Sequence, residues 1–242
     1  MEAIILAGGL GTRLRSVVPD LPKPMASING RPFLEYLLNF WIHGGAERFI
    51  LSVGYKHKVL QNHFGTAYKN VPIDYSVEEN PLGTGGGLLF ALKKLRTRNP
   101  FWLINGDTFF DVNILGILAF HQKRKAGLTM VLRTMPEAGR FGTVQLGNHG
   151  QLERFCAPGE GIPPYLINGG IYLINPEFLD EERLRWNGNT PLSLEGDLFP
   201  NWVCSQYPIY GFQETGEFID IGIPEEYHRC QVLFETFKTD SV

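Results

Sequence analysis

Apolar residues recur along this chain at two different spacings. Short runs rich in β-branched and aromatic residues, at positions 3–7, 48–54, 73–78, 101–105, 128–134 and 167–174, have the length and composition of buried strands. Between them the period lengthens. Phe33, Leu34, Leu37, Leu38 and Trp41 follow steps of three and four, which makes one apolar helix stripe that Gly44 and Gly45 close. Segments 84–96, 112–126 and 225–237 carry the same period, the last with Tyr227, Cys230, Leu233 and Phe237 on one face. Strands alternating with helices predict an α/β fold, a Rossmann-like, mostly parallel mixed sheet with helices on both faces. The alternation breaks near the middle. Residues 141–146 and 151–155 flank Gly147-Asn148-His149-Gly150, whose turn chemistry predicts a hairpin and hence an antiparallel excursion.

Composition narrows the class. With 242 residues, 43% of them hydrophobic, the chain can bury the core of one large domain, and no repeat or low-complexity linker divides it, so 1–242 is expected to form one unit. The net charge of -3, mixed in sign along the chain, gives no surface for a polyanion and argues against nucleic acid as a partner. Cys156, Cys204 and Cys230 are odd in number and far apart, which speaks against disulfides and zinc. The apolar start is broken at Gly8 and Gly9 and has no basic lead. No membrane span is therefore expected, and a reducing cytoplasm is.

Chemistry concentrates where the first strand ends. Ala7-Gly8-Gly9-Leu10-Gly11-Thr12-Arg13-Leu14 stands where a doubly wound sheet opens its ligand crevice. Glycines let backbone N–H groups approach phosphate oxygens, and Arg13 adds a fork of donors. A dinucleotide fingerprint would need glycine where Leu14 stands, and a P-loop would need a Gly-Lys-Ser/Thr ending that is absent. Pro22-Lys23-Pro24 then carries an ammonium on a stiff segment. Further on, Asn105-Gly106-Asp107 puts a carboxylate at the end of a buried strand, facing the same crevice.

The run Leu6–Leu14 with Pro22-Lys23-Pro24, followed in order by Asn105-Gly106-Asp107, Asn168-Gly169-Gly170 and Asp220-Ile221-Gly222, resembles the sugar-1-phosphate nucleotidyltransferases over nearly the whole chain. The resemblance implies the nucleotide-diphospho-sugar transferase fold, with about 1–135 handling the nucleotide and about 136–242 handling the sugar and ending in a helix. It implies transfer of a nucleoside monophosphate to a sugar 1-phosphate with release of pyrophosphate, Mg²⁺ on Asp107 and Asp220, and Arg13 and Lys23 as the catalytic cations. Leu6, Ala7, Gly8, Gly9, Gly11, Thr12, Arg13, Glu78, Gly83 and Thr84 would bind the nucleotide. Gly142, Glu153, Arg154, Asn168 and Gly169 would bind the sugar phosphate, with Glu195 a further sugar candidate. Phe218, Ile223 and Arg154 depart from the family's usual Trp, Thr and Lys, Arg154 keeping the charge as a planar fork.

The base is readable from chemistry. Glu78 stands where thymidylyltransferase relatives carry a glutamine. A carboxylate repels the carbonyls of uracil and thymine but accepts both adjacent N–H donors of guanine. GTP is therefore the expected nucleotide, with Glu79 an alternative reader because consecutive strand side chains face opposite ways. The resemblance points to D-glycero-D-manno-heptose 1-phosphate as acceptor. Mannose 1-phosphate, or glucose 1-phosphate with a pyrimidine nucleotide, stays open, as does homo-oligomer formation. A non-catalytic regulatory subunit would be expected to have lost Arg13, Lys23, Asp107 or Asp220, and all are present. A glycosyltransferase would carry Asp-x-Asp, but here the run reads Asp107-Thr108-Phe109.

Overall fold

The computed structural model describes residues 1–9, 11–14 and 17–236, except for the side chains of Thr12 and Thr236. In chain order the first half gives β1 (Glu2–Leu6), β2 (Ser27–Ile28), β3 (Arg31–Pro32), α1 (Phe33–His43), β4 (Arg48–Val53), α2 (His57–Phe64), β5 (Ala67–Tyr68), β6 (Val71–Val77), α3 (Gly83–Ala91), β7 (Phe101–Asn105) and β8 (Thr108–Phe110). The second half gives α4 (Ile114–Arg124), β9 (Leu128–Met135), β10 (Thr143–Leu146), β11 (Leu152–Cys156), β12 (Tyr165–Ile174), α5 (Asp180–Arg185), α6 (Phe199–Cys204), β13 (Ile209–Glu214), β14 (Phe218–Asp220) and α7 (Pro224–Thr236).

The six buried runs all become strands, and the predicted hairpin becomes β10 and β11. His149 and Gly150 take positive φ in its turn, as the turn chemistry requires. Strands β7, β1, β4 and β6 lie side by side and parallel, with every residue of β4 buried. Such strands read as unbroken apolar runs because both faces are covered. Beyond β7 the sheet turns antiparallel. The long strand β12 pairs β7 along one edge, and β9 and β10 also join it antiparallel, β10 carrying β11. The mixed sheet and its antiparallel excursion match the sequence reading.

Alternation along each strand splits the core into two layers. Ile5, Phe49, Leu51, Trp102 and Ile104 face α1 and α7, with the Trp41 and Trp102 rings 4.9 Å apart. Ile4, Ile50, Phe101 and Leu103 face α3 and α6, where Phe199 and Trp202 close the layer. The terminal helix buries Cys230 and Phe234, so its apolar face includes Phe234, which the periodic reading passed over; Phe237 lies outside the described residues.

One helix ends early. The segment from Thr84 reads as helical to Arg96, yet α3 stops at Ala91 and the chain is extended by Leu95. The amides of Arg96 and Thr97 donate instead to Glu2 Oε2, at 3.0 and 3.2 Å. Glu2 also pairs with Arg48, which binds Asp74 and donates to the Lys94 carbonyl at 2.9 Å. A buried charge cluster thus fastens the amino ends of β1, β4 and β6.

Candidate active site

The opposite, carboxyl ends of β1, β4 and β7 open onto a cavity of about 280 Å³ lined by Leu6, Ala7, Gly8, Gly9, Gly11, Lys23, Glu78, Gly83, Thr84 and Asp107, among others. Eight of the ten expected nucleotide residues are in that lining. Of the other two, Arg13 lies on the single tight turn Thr12–Leu14, exposed and unpaired among the described residues, while the side chain of Thr12 lies outside them. Buried Leu14 anchors this turn, its N–H donating to the Gly11 carbonyl at 3.1 Å.

A second, short strand pair brings the two aspartates together. In the antiparallel ribbon of β8 and β14, Thr108 lies opposite Asp220, and the Ile221 N–H donates to the Asp107 carbonyl at 3.0 Å. Lys23 pairs with Asp107 and lies 3.9 Å from Asp220 Oδ1. Arg140 holds the other side of Asp220, reaching Oδ2 at 3.1 Å and the carbonyl at 3.0 Å. Burial, then the charge of Asp107, pushes the Asp220 carboxyl above its ordinary range, while Lys23, Arg140 and the Gly222 amide pull against that shift. Two carboxylates brought together at the cavity, with oxygen donors only, fit Mg²⁺, which takes one or two carboxylates and completes its shell with phosphate and water.

At the base end, Glu78 lines the cavity and Glu79 is exposed, which separates the two candidates by position. The Ser52 hydroxyl donates to Glu78 Oε1 at 2.9 Å, and the Leu82 N–H donates to Oε2 at 3.0 Å. Burial raises the Glu78 pKa, and these two donors oppose the rise. A Cβ on Gly8 would stand 3.2 Å from Glu78 Oε1, so this glycine makes room for the carboxylate as well as lining the phosphate loop. Thr84 Oγ1 accepts the Leu194 N–H at 2.9 Å.

At the sugar end the picture differs from the expectation in detail. The two N–H donors of the Asn168 amide are committed, to the Tyr172 hydroxyl at 2.7 Å and to Glu195 Oε1 at 3.0 Å, and its oxygen accepts the Gly170 N–H at 3.1 Å. Glu195 is thus the acceptor that Asn168 presents. Glu195 is exposed overall, yet desolvation of its carboxylate raises its pKa, the Asn168 bond lowers it, and the charges of Asp107 and Asp220 raise it further. Gly169 leaves space for the Phe110 ring and the Val131 carbonyl, each 2.9 Å from where its Cβ would stand. The Gly142 carbonyl accepts the Asn168 N–H at 3.0 Å. Glu153 and Arg154 are exposed on β11, and among the described residues no hydrogen bond or ion pair joins them to Asn168, Asp107 or Asp220.

Sequence reasoning passed over Ser52 and Arg140. A lone hydroxyl in the apolar run Phe49–Val53 was the available signal for the first. An arginine directly before Phe141-Gly142 was the signal for the second.

A glycine loop at the carboxyl end of β1, a lysine between two aspartates and a carboxylate in the base cavity define a nucleotide-handling α/β protein. The chain belongs to the nucleotidyl transferase family, whose sequence profile it matches over residues 2–236. It is 42% identical over 234 residues to D-glycero-alpha-D-manno-heptose 1-phosphate guanylyltransferase of Aneurinibacillus thermoaerophilus, covering 96% of this chain and 97% of that protein. To the protein of the same name from Campylobacter jejuni it is 36% identical over 231 residues, 94% and 97% of the two chains. The crystal structure of HddC from Yersinia pseudotuberculosis superposes with a TM-score of 0.82 at 30% identity, covering 96% and 99%. The same protein complexed with GMP-PN superposes with a TM-score of 0.79 at 29% identity. Among the described residues, no helix is long and apolar enough to cross a membrane.

Proposed function

We propose that this protein transfers GMP from GTP to D-glycero-α-D-manno-heptose 1-phosphate, releasing pyrophosphate. The observation that carries the reading is the 42% identity, over nearly the whole of both chains, to a guanylyltransferase acting on that sugar. Glu78 in the base cavity supports it independently: each of its oxygens accepts one protein N–H or O–H and keeps a lone pair for one of guanine's paired donors.

In the reaction a phosphate oxygen of the sugar attacks the α-phosphorus of GTP, the α–β bridging bond breaks, and pyrophosphate leaves. The attacking phosphate is ionised at neutral pH, so no protein base is required. The protein's task is to hold anions in line and offset their repulsion. The amides of the loop after β1 and Arg13 would bind the β- and γ-phosphates, and Lys23 would neutralise charge at the reacting phosphorus. Asp107 and Asp220 would hold Mg²⁺, which when bound supplies charge neutralisation on the phosphate oxygens. Glu195, aimed by Asn168, accepts from sugar hydroxyls. Arg154, exposed on β11, is available to the sugar phosphate.

Pyrophosphate release across a matrix of GTP, ATP, UTP and dTTP against heptose, mannose and glucose 1-phosphates tests both choices. The pair GTP and heptose 1-phosphate should give the highest kcat/KM. Preference for a pyrimidine nucleotide would refute the base reading, and preference for mannose 1-phosphate the sugar reading.

A further inference from the structure

Strand β4 is apolar from Phe49 to Val53 except at Ser52, which is 1% exposed. A buried hydroxyl costs free energy unless it is bonded, so its partners indicate what it is for. Its oxygen lies 2.9 Å from Glu78 Oε1 and 3.4 Å from the Gly87 carbonyl. A serine has one proton to give, and the nearer, ionised acceptor takes it.

Away from the cavity, Glu78 is held by its neighbours. Its own N–H donates to the Val53 carbonyl at 2.8 Å, its Oε2 accepts from Leu82 N–H, and Oε1 lies between Gly8 and Gly87. A Cβ on Gly87 would stand only 2.8 Å from Oε1. Glycine at positions 8 and 87 makes room for the carboxylate, and two donors fix its rotation there: a backbone amide that no side-chain substitution removes, and Ser52.

We infer that Ser52 is the positioning residue for base selection, turning the Glu78 carboxylate so that both remaining lone pairs address the N1–H and N2–H of guanine. The inference rests on the guanine reading of Glu78. Without the hydroxyl the carboxylate keeps a single tether at Oε2 and can turn about it, so the two acceptors no longer meet two donors together. Burial, which already raises the Glu78 pKa, also meets less opposition, and a protonated Glu78 presents a donor that suits the carbonyls of uracil.

The test uses the full-length protein with saturating sugar 1-phosphate and compares GTP with UTP in wild type, Ser52→Ala, Glu78→Gln and the double variant. Loss of one hydrogen bond to a charged group predicts an increase of about tenfold in KM for GTP in Ser52→Ala, with kcat within about threefold of wild type. The GTP-to-UTP ratio of kcat/KM should fall by a similar factor. In the Glu78→Gln background, Ser52→Ala should change that ratio no further, because the two residues act through one contact. A purely structural serine would lower the unfolding temperature and leave the ratio unchanged, which would overturn the inference. If Glu78→Gln abolishes the preference but Ser52→Ala keeps it, the positioning role falls and the Glu78 reading stands. If Glu78→Gln also keeps the preference, both fall. Ser52→Cys, of similar size but a much weaker donor, should lie between and carries the test should the alanine variant not fold.

Discussion

Among the described residues, a largely buried charge cluster stands at each end of the parallel strands, and the two differ in how their charges are balanced. At the amino ends, Arg48 lies between Glu2 and Asp74, and Glu2 takes backbone amides as well. Opposite charges alternate there and backbone groups complete the set. At the carboxyl ends, the charge of Asp107 adds to the cost of ionising Asp220, Lys23 lies between them, and the cluster opens onto a cavity. A buried ion cluster is thus no mark of function in itself. What distinguishes the functional one is like charge held together beside an opening, where a cationic or anionic ligand completes the balance.

Four predictions can break or sharpen this contrast. The largest concerns Asp107→Asn and Asp220→Asn: each should lower kcat by at least about a hundredfold, and the unfolding temperature of Asp220→Asn should hold or rise, because its raised pKa means the ionised carboxylate opposes folding. A variant that unfolded instead would erase the distinction between the two ends. Next, Arg13→Ala and Lys23→Ala should reduce kcat about 10²–10³-fold in steady-state assays while remaining folded by circular dichroism.

Third, Arg48→Met should do the reverse. Removing the cation leaves the buried Glu2 carboxylate without its ion-pair partner, while half-exposed Asp74 keeps Arg96, so denaturant unfolding should show a loss of about 3 kcal/mol, with kcat at low temperature near wild type. The smallest effect belongs to His121, buried beside Thr129 and Asn175 and held neutral by burial. Its folded pKa is depressed, so its contribution to stability is complete above the ordinary histidine pKa and declines as pH falls below it, where the unfolded chain binds the proton more readily. Denaturant midpoints at about pH 8 and pH 5.5 should show a shallower fall in His121→Gln than in wild type.

Legibility followed the same division. The strands flanking the cavity could be read because double burial writes an unbroken apolar run, and the loop after β1 because glycine and arginine recur there at a fixed place. Asp107 follows a visible strand. Asp220 also ends a strand, as expected, but it reaches the site through a ribbon whose two strands have three residues each, below the length at which period two can be told from chance, and the family resemblance carried its assignment. Ser52 and the shortened end of α3 were hidden for another reason. Their roles depend on partners distant in sequence, Glu78 in one case and Glu2 in the other, and hydrophobic periodicity carries no record of such pairs. The commitment of both Asn168 donors is likewise a fact of side-chain geometry.

Helix α3 carries a consequence for dynamics. Its first five residues, Gly83-Thr84-Gly85-Gly86-Gly87, are a poor helix sequence: Gly83 takes a positive φ that favours glycine, and the other three glycines cost about 3 kcal/mol relative to alanine at about 1 kcal/mol each. Larger residues cannot replace them, since a Cβ on Gly83 would stand 2.5 Å from the Leu192 carbonyl and one on Gly87 would press on Glu78. The helix therefore has little tendency to form by itself and persists because Leu192 accepts the Gly85 and Gly86 amides, at 2.8 and 3.1 Å. Its amides should exchange with deuterium through a local opening well before those of β1, β4 and β7, and a nucleotide seated against Gly83 and Glu78 should slow that exchange. Amide exchange in the wall of the base cavity then becomes a direct report of its occupancy.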